Sequence, residues 1–116
     1  MNEQFVAGRP PRKGNVVSVQ SSITTLTSGR KVVASAGTAV PLVSAPIQVL
    51  RCTITAETDN TGAVVVGSSG VIASLATRTG VPLNPGDSYE LEISDLSLAY
   101  IDSETSGDGV TFNYFT

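Results

Sequence analysis

A chain of 116 residues is the size of one domain, and with 41% hydrophobic residues it has enough apolar material for one packed core. Charged residues are only 15%, there is no histidine, and Cys52 is the single cysteine. This excludes an internal disulfide, His-based nucleophile pairs and the commonest metal ligand. The net charge of −3 hides an asymmetry: residues 1–31 carry Arg9, Arg12, Lys13, Arg30 and Lys31 against Glu3 alone (+4), whereas residues 32–116 carry two arginines against nine acids (−7).

In chain order, residues 1–15 hold Gly8, Pro10, Pro11 and Gly14 and no periodicity, which predicts extended or unstructured chain. Residues 16–26 read as a strand with few apolar neighbours, Val17, Val19 and Ile23 standing among serines and threonines. Such a strand needs a sheet edge to join, and the expected edge belongs to a neighbouring subunit. Ser28-Gly29 reads as a turn, residues 31–35 as a short strand, and residues 37–46, with Pro41 and Pro46, as an edge strand or loop. The chain thus divides into a basic N-terminal arm, residues 1–31, and a β domain, residues 32–116. The arm is either a solvated tail or a device that docks on an acidic surface.

Residues 47–57 predict a strand with Leu50, Cys52, Ile54 and Ala56 on one face. Asp59-Asn60-Thr61-Gly62 turns the chain into the apolar strand 63–66, and the spacing suggests a hairpin. Residues 71–75 read as a short strand or a helical turn, the strand being the expectation. Asn84-Pro85-Gly86-Asp87 is a turn cluster, because proline presets φ and glycine accepts positive φ. Residues 88–93 alternate Tyr89, Leu91 and Ile93 with Glu90, Glu92 and Ser94. Asp95-Leu96-Ser97 reads as a corner with one 3₁₀ turn, followed by strand 98–102. A further turn at Ser106-Gly107-Asp108-Gly109 leads to strand 110–115.

Seven to eight short strands bounded by turns predict an all-β fold, an antiparallel β-sandwich of jelly-roll or Ig-like type with an extended N-terminal arm. The expected core includes Leu50, Cys52, Ile54, Val64, Val66, Leu91, Ile93, Tyr100, Val110 and Phe112.

Candidate chemistry is sparse. Cys52 falls on a dry strand face and reads as a small hydrophobe, not a nucleophile. Lys13 and Lys31 lie in the arm, away from any serine-lysine site. Glu90 and Glu92 alternate with apolar residues and read as a wet strand face. The run from Asp102 to Asn113 compares with a calcium loop, Gly107 at the sixth place, but Ser106 and Asn113 stand where carboxylates are wanted. A hairpin turn that binds no metal is the expectation. No catalytic residue, cofactor or metal is assigned. No apolar run reaches the ~20 residues of a membrane span, and no leader pattern opens the chain. Three basic residues beside Pro10-Pro11 make a thin phosphate footprint on a chain whose body repels nucleic acid. Neither membrane nor nucleic acid is therefore an expected partner.

One resemblance adds to this reading. Asn60-Thr61-Gly62, Val64-Val65-Val66-Gly67, Gly80-Val81-Pro82-Leu83, Pro85-Gly86-Asp87-Ser88, Asp95-Leu96-Ser97 with Tyr100, and Gly107 with Gly109-Val110 carry it. Together this block resembles small β-sandwich virion proteins encoded among the structural genes of tailed bacteriophages. It covers about half the chain and consists of turn-and-strand signatures. The resemblance implies a non-enzymatic virion protein, assembled in the host cytoplasm and acting as a homo-oligomer; with the 16–26 strand joining a neighbour's sheet edge, a trimer is the expected form. It would be a capsid decoration or cement protein on the major capsid protein. The alternatives are a receptor- or glycan-binding module of a head or tail fibre, or a neck component. The residues expected to meet capsid or a neighbouring subunit are Arg9, Arg12, Lys13, Val17, Val19, Ile23, Arg30 and Lys31.

Overall fold

The computed structural model describes residues 23–116. Eight strands run β1 (Leu26–Val32), β2 (Val40–Pro41), β3 (Arg51–Ala56), β4 (Val64–Gly67), β5 (Val81–Leu83), β6 (Ser88–Leu91), β7 (Tyr100–Ser103) and β8 (Gly109–Phe115). They form two four-stranded sheets, β1-β8-β3-β6 and β2-β7-β4-β5. Every named pair is antiparallel. This pair of strand orders is that of a jelly roll, which decides between the two sandwich types expected.

Alternation builds the core. Cys52, Ile54 and Ala56 of β3 and Val110 and Phe112 of β8 point inward and are buried, facing Val64 and Val66 of β4 and Ile101 of β7. β4 is buried on both sides, since Val65 on its outer face lies beneath Val71 and Ala73 of the 68–79 connection. A continuous apolar run suits a strand covered on both faces.

Several expectations are corrected. Neither 57–63 nor 104–108 is a hairpin: β3 and β8 lie in one sheet and β4 and β7 in the other, so both connections cross between sheets. Ser28-Gly29 is not a turn but mid-strand, Gly29 pairing with Phe112. A β-carbon on Gly29 would stand 2.5 Å from the Phe112 ring, so glycine here makes room for an aromatic and does not bend the chain. Leu50 is 49% exposed, because regular pairing of β3 begins only at Arg51 and Val49 takes the buried place. Tyr100 packs with Val65 outside the main core. Residues 71–74 form no strand, and a 3₁₀ turn follows at Leu75–Thr77.

The corner at Asp95 matches expectation. Asp95 caps a 3₁₀ turn, Leu96–Leu98, accepting hydrogen bonds from Ser97 N–H and Oγ. Those bonds hold its carboxyl below the usual carboxylate range. The turn at Asn84–Asp87 also forms, with Gly86 at φ 88° and Asp87 N–H donating to the Asn84 carbonyl.

Candidate functional site

The two ends of the sandwich are built from different chemistry. The upper end carries the connections 33–39, 57–63, 84–87 and 104–108, which follow the last residues of the upward strands. The lower end carries Ile23, Leu50, residues 92–99 and the end of β8 near Phe115.

Three carboxylates from one short stretch organise the upper end. Asp102 is fully buried on the outer face of β7; Gly37 N–H donates to its Oδ1 at 2.9 Å and Ala73 N–H to its Oδ2 at 2.8 Å. Asp108, also buried, accepts from Thr61 and Gly62 N–H at 2.9–3.1 Å. Glu104 accepts from Ala63 N–H at 2.9 Å and pairs with Arg78 at 2.6 Å. Arg78 in turn donates to the Ala73 carbonyl. Asn60 completes the set by bonding both the N–H and the carbonyl of Gly109, standing in for a missing strand neighbour. In the stretch compared with a calcium loop, the carboxylates thus face backbone N–H groups. Each such bond satisfies a loop donor that no ladder partner reaches. This pinning ties the two inter-sheet connections 57–63 and 104–108 to each other.

The interaction residues divide. Arg9, Arg12, Lys13, Val17 and Val19 lie outside the described residues. Arg30 and Lys31, expected in the arm, stand on β1, which pairs with β8 of the same chain along its whole length. Arg30 and Lys31 therefore belong to the sandwich. Counted at residue 22, the charges become +2 for residues 1–22 and −5 for residues 23–116. Arg30 forms a two-pronged bond to Glu57 through Nε and Nη2, and Glu57 raises its pKa further above the ordinary value. Arg51 pairs with Glu90 at 3.0 Å and lies over the Phe115 ring at 5.2 Å. All three arginines of the body thus hold glutamates of the body.

The lower end exposes apolar side chains beside a few charges. Ile23 borders a shallow hollow with Leu50, Arg51 and Glu92. Leu26 and Leu98 are each 59% exposed. Near the seam between β5 and β6 the sheets part, leaving a crevice of about 380 Å³ among Val66, Val81, Tyr89, Leu91, Ile93 and Leu98. Sequence reading placed Leu91 and Ile93 in the core; they are half-buried because β6 ends its sheet and none of the described residues covers its far side. Cys52, by contrast, is sealed in the core, and burial pushes its thiol up to about 11.

No family model, curated protein or solved structure matches this chain.

Proposed function

We propose that the chain is a non-enzymatic structural protein of a bacteriophage virion, a capsid decoration or cement protein. In this reading it works in several copies on the outer shell, meeting the major capsid protein through its basic N-terminal segment and subunit contacts. One observation carries the reading: the body's ionic groups are largely committed to holding the body. Asp102, Glu104 and Asp108 bind loop N–H groups, and Arg30, Arg51 and Arg78 bind glutamates. A block so braced suits a load-bearing surface element, with recognition left to the segment that precedes it. The jelly roll itself does not choose, since the same architecture serves capsid and lectin domains.

Many weak contacts on a symmetric lattice add through avidity. Contacts made by Arg9, Arg12 and Lys13 should weaken with salt, while apolar ones persist. The test mixes purified protein with shells that lack it. Binding at low salt, reduced by reversing those three charges and by added salt, supports the proposal. No binding at low salt, or binding to host glycans without affinity for shells, transfers the assignment to the receptor-binding alternative.

A further inference from the structure

Among the described residues β6 ends its sheet with no strand on its outer side, and it contains no proline, so the alternate N–H groups that face that side are all present. Across the seam, β5 is the end strand of the other sheet but contains Pro82, which has no N–H to offer a further strand. The apolar crevice lies between them, walled on the β6 side by Tyr89, Leu91 and Ile93 at two-residue spacing. Leu98 stands exposed at its rim.

We infer that this seam is filled by residues 16–22 of a second copy of the chain, running antiparallel to β6 with Val17 and Val19 turned into the crevice.

Pattern, direction and charge point to that occupant. As a strand, this stretch would put Val17 and Val19 with Ser21 on one face and Val16 with Ser18, Gln20 and Ser22 on the other, so the first face is the more apolar. Two valines on one strand face lie roughly 7 Å apart, the same repeat as Tyr89 to Leu91. The seven residues span about 23 Å at full extension, longer than the crevice's stretch of β6.

Direction selects the copy. Ile23 sits at the lower end beside Leu50, Arg51 and Glu92. Residues 16–22 of the same chain lead into it and so would arrive running the same way as β6. A second copy is free to enter reversed, which gives the antiparallel pairing found between every pair of strands here. That pairing is also the stronger per residue.

Charge agrees with this direction. Entering reversed, the donor places Arg9, Arg12 and Lys13 beyond the lower end of β6, where the receiving body carries Glu92 and Asp95.

The inference shares with the proposed function the idea that the basic segment is an assembly element, but its test needs no shell, so the two fail separately. Light scattering on the full chain is compared with two full-chain variants. V17D/V19D spoils the donor outside the body, and L98D spoils the crevice at an exposed rim position; circular dichroism checks that each keeps its β spectrum. The expected results are a wild type heavier than a monomer, two monomeric variants, and association restored in an equimolar mixture, where intact donor meets intact crevice. A wild type that stays monomeric, V17D/V19D that still associates, or a mixture that does not associate overturns it. A monomeric wild type that V17D/V19D makes less heat-stable overturns it too, because the segment would then dock on its own body.

Discussion

The upper and lower ends of this sandwich solve the same problem, how to finish strands that leave a sheet, in opposite ways. The upper end buries Asp102 and Asp108 and uses them, with Glu104, to hold five loop N–H groups, those of Gly37, Thr61, Gly62, Ala63 and Ala73. The lower end leaves Leu26, Leu50 and Leu98 in solvent and the seam ajar. An end held by charge-assisted hydrogen bonds is stiff and specific; an end finished with apolar side chains is available for contact. Stability should therefore be concentrated above and association below.

The sharpest test of that contrast is Asp102. Replacing it by alanine strands the N–H groups of Gly37 and Ala73 together, and a loss of roughly 3 kcal/mol is expected, read as a lower urea midpoint at unchanged slope. D102N should be nearly as damaging, because an amide presents one oxygen where the two donors need two. If D102N melts like wild type, the upper end is not held by this carboxylate.

A smaller loss, about 1–3 kcal/mol, is expected for Gly29→Ala, whose new methyl meets the Phe112 ring. Pairing it with Phe112→Leu should return part of the loss in a double-mutant cycle. Purely additive losses would mean that backbone freedom, not the ring, demands glycine there.

The smallest effect is set by pH. The folded Cys52 thiol ionises near 11, above its ordinary 9.0. A raised folded value contributes stability below the unfolded value and loses it as pH rises through the folded one. The melting temperature should thus decline between about pH 9 and pH 11, and less so in Cys52→Ala. At neutral pH the thiol should resist alkylation until the body unfolds. Ready alkylation of the native protein would contradict its place in the core.

Much of the body was legible in the sequence because period-two alternation and turn chemistry are local. β3, β6 and β8 fall where alternation put them and β4 where the apolar run did, and the turns at Gly86 and Asp95 follow from side chains acting on their own backbone. Pairing was not legible. A turn between two strands suggests a hairpin only if both join the same sheet, and the strands flanking 57–63 and 104–108 join different ones. Gly29 misled for a related reason: its spacing reads as a turn, and only the sheet register brings Phe112 against it. Of the contact surface, the half-open state of Leu91 and Ile93 depended on knowing which strand ends the sheet. Asp102 did leave a trace, an acid continuing an apolar strand after Ile101, but an acid at that place reads equally well as solvent-facing.

The strand order also governs how the molecule is made. β8 lies between β1 and β3 in its sheet, yet it is synthesised after the other seven strands. Leu26 meets Phe115, and Arg51 meets Phe115 as well, so β1 and β3 wait unjoined until the last strand arrives. Such distant pairing makes the search slow, because chain must be closed over long loops before any contact rewards it. During that wait β3 has β6 as its one neighbour and β1 has none among the described strands, so both leave an edge open to wrong partners. Nascent chains halted before β8 should accordingly be the species that chaperones bind and that aggregate, while completed chains collapse in one cooperative step.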